Sequence, residues 1–211
     1  MSGRLVTLEG GEGAGKSTVL EAVRECLAAS GIQVVATREP GGTALGEALR
    51  ALVLDPARGR VCAESELLLM FAARAQHVRE VIEPALAAGR WVLSDRYTDA
   101  SYAYQGGGRR QPEERIAALE RWVAPRVPDL TLLLDLPPAQ GLARAGKRGE
   151  ADRIERENLD FFDRVRAAYR ARAAAAPGRF RVIDASQPVE VVRAAATAAV
   201  DAWLAGLEKR P

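Results

Sequence analysis

Gly10-Gly11-Glu12-Gly13-Ala14-Gly15-Lys16-Ser17, with a second hydroxyl at Thr18, is the stretch on which the fold reading turns. It fits Gly-x-x-x-x-Gly-Lys-Ser/Thr, the phosphate-binding loop. Ahead of it Leu5-Val6-Thr7-Leu8 reads as a short buried strand. Behind it Val19, Leu20, Val23 and Leu27 recur at helical spacing up to a Ser30-Gly31 stop. Strand, glycine turn and helix start, in that order, make an anion trap. The glycines let backbone N–H groups turn inward, and the helix dipole adds partial positive charge. In such a loop Lys16 reaches the β- and γ-phosphates and Ser17 ligates Mg²⁺. The bland alternative is a glycine-rich turn with a solvated lysine. With glycine near 7% of average usage, however, the four fixed positions coincide by chance in roughly 1% of chains this long. The flanking strand and helix lower that further, so the motif implies a bound nucleoside triphosphate.

Working outward, 211 residues suffice for one α/β domain with its own core. Hydrophobic content of 48% and charged content of 27% are ordinary for a globular protein. A net charge of +2, mixed along the chain, marks no nucleic-acid surface and no acidic tail. Cys26 and Cys62 lack CxxC spacing and His77 is the single histidine. Neither zinc nor a disulfide framework is expected, and a reducing compartment fits best. No apolar run reaches the ~18 residues of a membrane span. A cleavable leader would consume the first strand and the phosphate loop. The expected location is the cytoplasm, with no membrane or nucleic-acid partner.

Short apolar runs at 5–8, 32–37, 90–94, 130–136 and 180–184 read as strands. Helical patterns fall at about 16–29, 43–54, 64–88, 112–123, 138–146, 157–175 and 188–208. That alternation predicts an α/β fold in which a five-stranded, mostly parallel sheet carries helices on both faces. No repeat, linker or composition shift marks a second domain, so residues 1–211 are read as one P-loop domain.

Candidate ligand residues gather where strands end, because open α/β sheets bind ligands at the carboxyl edge. Thr37-Arg38-Glu39-Pro40-Gly41-Gly42-Thr43 follows the second run, with Arg50 in the next helix. In the helix 64–88 the stripe of Leu67, Leu68, Met70, Phe71, Ala75, Val78 and Ile82 reads mostly as core. Arg74 sits on its edge, as either a snorkelling side chain or a ligand contact. His77 reads as a surface or capping residue, and Pro84 is expected to bend the last turns. Trp91-Val92-Leu93-Ser94-Asp95-Arg96-Tyr97 ends in a carboxylate placed to support Mg²⁺, beside an arginine suited to a phosphate. Asp135 competes for the metal role but has no arginine after it. Ser101, Tyr104 and Gln105 crowd a short helical piece closed by Gly106-Gly107-Gly108, a composition suited to a planar polar ligand. Around 144–156 glycines break a basic and acidic run into a candidate lid. Asp184-Ala185-Ser186-Gln187-Pro188 returns to the same sheet edge.

Taken together, Thr37 to Thr43, Asp95-Arg96-Tyr97, Tyr104-Gln105-Gly106-Gly107-Gly108-Arg109 and Gly149-Glu150-Ala151-Asp152-Arg153-Ile154-Glu155 resemble the thymidylate kinase family of bacterial type. The resemblance covers nearly the whole chain. It implies a nucleoside monophosphate kinase-like P-loop NTPase that transfers the ATP γ-phosphoryl group to dTMP with Mg²⁺, in dTTP synthesis. It assigns Gly10, Gly11, Glu12, Gly13, Ala14, Gly15, Lys16, Ser17 and Thr18 to ATP, Arg144 to adenine, and Ser17 with Asp95 to the metal. Glu12 is placed near the acceptor sugar hydroxyl and phosphate. Arg96, helped by Arg38 and Arg50, holds the dTMP phosphate. Arg74, Ser101 and Gln105 address the thymine edge, Pro40 walls the base, the preceding Glu39 counts among the substrate-binding residues, and Tyr104 disfavours ribose. The family's stacking aromatic stands four residues before the arginine. That position is Met70 here, and Phe71, one residue on, takes the assignment. With no arginine in the phosphate loop, the lid supplies the catalytic one. Arg153 is the first choice and Arg148 the second, and Arg153→Ala is expected to lower turnover by ~10³. A homodimer is implied, with the apolar face of 64–82 available to it.

Two other readings keep part of this evidence. One retains the kinase but changes the acceptor to another nucleoside monophosphate or a deoxynucleoside. The other is a P-loop ATPase or GTPase switch, which leaves the Tyr/Ser/Gln cluster unexplained and lacks an Asn/Thr-Lys-x-Asp guanine motif.

Overall fold

The computed structural model describes residues 3–146 and 150–208. Five strands, β1 (Leu5–Gly10), β2 (Val34–Arg38), β3 (Trp91–Asp95), β4 (Leu130–Asp135) and β5 (Phe180–Asp184), form one all-parallel sheet in the order β2-β3-β1-β4-β5. The central strands are buried on both faces, which is why they read as continuous apolar runs rather than alternating ones. Helices α1 (Lys16–Ala29), α2 (Ala44–Leu54), α3 (Ala63–His77), α4 (Glu83–Ala87), α5 (Thr98–Ser101), α6 (Glu113–Val123), α7 (Pro138–Ala145), α8 (Leu159–Ala175) and α9 (Val189–Glu208) follow the strands in turn.

Both faces of the sheet are covered. On one, Val19, Val23 and Leu27 of α1 and Ala196 and Val200 of α9 pack against Leu8, Leu132 and Leu134. On the other, Phe161, Phe162, Val165 and Tyr169 of α8 meet Leu133 and Phe180, and Val78, Ile82 and Leu86 meet Leu5 and Val92. The strand ends are thereby set side by side, with Arg38 in register with Asp95 and Asp135 with Asp184. That edge carries the site.

Two boundaries differ from the sequence reading. Ile32 belongs to the closing turn of α1, because Gly31 has φ 74° and the Ile32 N–H reaches back to the Leu27 carbonyl at 3.1 Å; β2 therefore starts at Val34. The single helix expected over 64–88 is three segments, with a wide π-type turn over Val78–Ile82 between α3 and α4. Pro84 has no N–H to offer the previous turn, and the ladder widens just before it.

Candidate active site

β1 ends as Glu9-Gly10 and the chain turns through Gly15, at φ 85°, into α1. Gly13 (φ 67°) is held against α7, since a Cβ there would overlap the Gly141 carbonyl. Only glycine serves at that position. The cavity above the loop is lined by Glu12 to Ser17, Asp95, Arg96, Arg38 and Arg50, with Glu150, Asp152 and Glu155 opposite. Thr18 is exposed and outside that lining. Lys16 folds back, its Nζ donating to the carbonyls of Gly10 at 3.1 Å and Gly11 at 2.9 Å. Burial, and then the Arg96 guanidinium, push its ammonium below the usual lysine range. An anion in this cavity pushes the other way, because its charge favours the ammonium form.

Among the described residues, no group of three or more His, Cys, Asp or Glu side chains gathers to hold a metal unaided. Mg²⁺ needs only one or two carboxylates when phosphates and water complete its shell. Asp95 fits that pattern: its Oδ1 is buried and has no hydrogen-bond partner. Asp135 is instead clasped by Arg166, at 2.7 and 2.9 Å.

Arg96 has φ 72°, in the left-handed region that arginine seldom adopts. Its Nη2 donates to Glu12 Oε1 at 2.7 Å and its Nη1 to the Gly10 carbonyl at 3.0 Å and Tyr169 Oη at 3.3 Å. Tyr104 Oη donates to the same Glu12 oxygen at 2.7 Å, and its ring lies 4.7 Å from the Arg96 guanidinium. Tyr169 donates in turn to Glu9 Oε2 at 2.8 Å. Burial, with Asp99 nearby, pushes the Glu9 carboxyl up to about 8.

A second cavity opens beside this one. Its walls are Pro40, Leu54, Met70, Ala100, Tyr104 and Ile154, with the polar groups of Glu39, Arg74, Ser101 and Gln105 among them. Glu12, Glu39, Arg50, Arg96 and Asp152 line both cavities, so the two meet there. Arg74 donates through Nε to Glu39 Oε2 at 2.6 Å, through Nη1 to Ser101 Oγ at 2.9 Å and through Nη2 to the Tyr97 carbonyl at 3.0 Å. Gln105 donates to Glu66 at 3.0 Å, leaving its Oε1 buried and without a partner at the cavity. Arg50 donates to the Pro40 carbonyl at 3.1 Å, and Arg38 is paired with Glu47 at 2.8 Å.

Three expectations are corrected here. Phe71 does not face the cavity: it is 3% exposed in a cluster with Leu67, Tyr102 and Ile116, and the Arg74 guanidinium lies 4.5 Å from its ring. Positions four apart share a helix face, so Met70 lies with Arg74 and Phe71 turns to the core. Alanine at Phe71 is expected to cost about 3–5 kcal/mol of stability, while alanine at Met70 raises the KM for the acceptor and leaves melting nearly unchanged. Thermal melts paired with KM values separate the two. His77 is not a surface residue; it is fully buried between Glu39 and Thr37. Arg153 does not point at the phosphate cavity. Its Nη2 donates to Glu66 at 2.6 Å and its Nε to the Val53 carbonyl at 2.6 Å. Arg148, the second choice, lies outside the described residues.

Arg144 donates to the Ala185 carbonyl at 2.9 Å, placing it with Gly13 to Gly15, Gln187 and Pro188 around a separate groove. Sequence reasoning missed Glu66, Tyr169, Leu54 and Asp152. Glu66 did carry a signal, as an acidic residue beside Leu67 in an apolar helix; Tyr169 carried none.

A family model described as thymidylate kinase matches residues 8–196. The chain belongs to the thymidylate kinase family. It is 56% identical over 194 residues to a thymidylate kinase of Alcanivorax borkumensis, covering 92% of this chain and 93% of that one. It is also 56% identical over 205 residues to one from Methylococcus capsulatus, covering 97% and 98%. The crystal structure of thymidylate kinase from Ehrlichia chaffeensis superposes with a TM-score of 0.77 at 28% identity, over 97% of this chain and 99% of that one.

Proposed function

We propose that the chain phosphorylates dTMP to dTDP with ATP and Mg²⁺. The observation that carries this reading is the meeting of two cavities at Glu12, Arg50 and Arg96. One is built for a triphosphate, the other for a flat polar ring with a phosphate at its mouth. Catalysis is then positioning and charge neutralisation of an in-line transfer. Gly10 to Ser17 cradle the donor phosphates, and Lys16 leaves the loop carbonyls to meet them. Ser17 and Asp95 hold Mg²⁺, which when bound neutralises phosphate charge. Arg96, with Arg50, holds the acceptor phosphate, and Glu12 fixes Arg96 and meets the sugar hydroxyl. Arg74 donates to the thymine 4-carbonyl, and the free Gln105 oxygen accepts from the ring N3–H. Tyr104 leaves no room for a ribose 2′-hydroxyl, and Arg144 packs on adenine.

The protein acts in the cytoplasm as a homodimer. No described helix is long and apolar enough to cross a membrane, and Leu45, Leu68 and Trp122 stand exposed on α2, α3 and α6. An acceptor panel of dTMP, dUMP, dGMP and thymidine with ATP and Mg²⁺ tests the reading. ADP formation is expected to depend on dTMP above the others. Brisk phosphate release without any acceptor would sink the proposal.

A further inference from the structure

His77, the single histidine of the chain, sits fully buried at the last turn of α3 and ties that helix to the loop after β2. Its Nδ1 lies 2.9 Å from Glu39 Oε1 and its Nε2 lies 2.7 Å from Thr37 Oγ1. Gly42 closes over the ring: a Cβ there would overlap His77 Cδ2. Glu39 has two side-chain partners, His77 on one oxygen and Arg74 on the other. Burial opposes ionisation of Glu39, yet Arg74 and His77 hold its carboxyl below the ordinary range. A carboxylate only accepts, so Nδ1 carries a proton towards Glu39.

Arg74 is thus held by fixed neighbours in three directions, and Glu39 is the one that the β2 loop supplies. Loss of the His77 bond leaves Glu39 tied to Arg74 alone, so the Nε side of the guanidinium loses its fixed anchor. We propose that His77 is a positioning residue for acceptor selectivity, acting through Glu39 to fix how Arg74 faces the base cavity. This rests on the reading of that cavity as the pyrimidine site. Arginine offers only donors, so a rigid one favours a 4-carbonyl base and penalises a 4-amino base. A mobile one gives up that discrimination.

Two isosteric variants divide the contacts. In His77→Asn the amide nitrogen replaces Nδ1 and keeps the Glu39 bond; in His77→Gln the amide replaces Nε2 and keeps the Thr37 bond. The readout is the ratio of kcat/KM for dTMP to that for dCMP. His77→Gln is expected to lower this ratio by about tenfold or more through the KM for dTMP, with kcat and the KM for ATP within about twofold of wild type. His77→Asn is expected to hold the ratio within about twofold. An unchanged ratio in His77→Gln, or equal loss in both variants, overturns the inference. Wild-type protein that uses neither nucleotide overturns the reading of the cavity instead, before any variant is made. Should either variant fail to fold, the imidazole ¹⁵N signals of the wild-type protein decide the matter. A proton on Nδ1, with signals that move on dTMP addition but not with a non-hydrolysable ATP analogue, supports the role. A proton on Nε2 alone, or signals indifferent to dTMP, refutes it.

Discussion

Alanine at Arg148 is expected to lower turnover by ~10³ or more, within the range of arginine fingers, and alanine at Arg153 by less than about tenfold. The smaller effect at Arg153 follows from what it already holds, and the larger one at Arg148 from the family resemblance, which asks the lid for an arginine. Arg144 is tied to the Ala185 carbonyl, Arg156 to the Ala151 carbonyl, and Arg153 to Glu66 and Val53. Arg148 is the remaining arginine of that segment. Glu66 is fully buried and takes Arg109 and Gln105 as well as Arg153. Removing one of two cations from a buried carboxylate costs less than breaking a lone pair, so Arg153→Ala is expected to lose about 2–3 kcal/mol of stability. Single-turnover rates read beside thermal melts check both halves. A thousandfold loss in Arg153→Ala with unchanged melting would return the catalytic role to that residue.

The sheet and the phosphate loop were legible because their signals are local. A glycine pattern, a strand ahead of it and a helical period behind it lie within residues 5–31. The carboxyl-edge rule then placed Arg38, Asp95 and Asp184 together without any coordinates. What sequence could not show were partners chosen across distance. Tyr169 reaches Glu9, 160 positions away, and Arg153 finds Glu66 over 87. No periodicity encodes either pairing. Helix phase was the other blind spot. Each residue turns the face by about 100°, so exchanging Met70 for Phe71 swaps cavity for core. His77 was misread for a related reason: a polar residue at a helix end is ordinarily solvated, and only the opposite loop shows what buries it.

Arg96→Ala is expected to lower kcat/KM for dTMP by roughly 10²–10³, the equivalent of about 3–4 kcal/mol, with the KM for ATP little changed. Two losses combine. The acceptor phosphate gives up a bidentate cation. Glu12, whose Oε1 takes Arg96 at 2.7 Å, loses that cation where another anion must dock. Lysine at this position keeps the charge but not the fork, so Arg96→Lys should fall between wild type and alanine. Backbone geometry supplies an internal control. Because residue 96 sits at φ 72°, Arg96→Gly relieves strain that Arg96→Ala retains, and it should be the more stable of the two by about 1 kcal/mol. Equal inactivity in these two variants, despite unequal melting temperatures, would assign the defect to the missing guanidinium rather than to misfolding. An alanine variant within tenfold of wild type would instead remove Arg96 from acceptor binding.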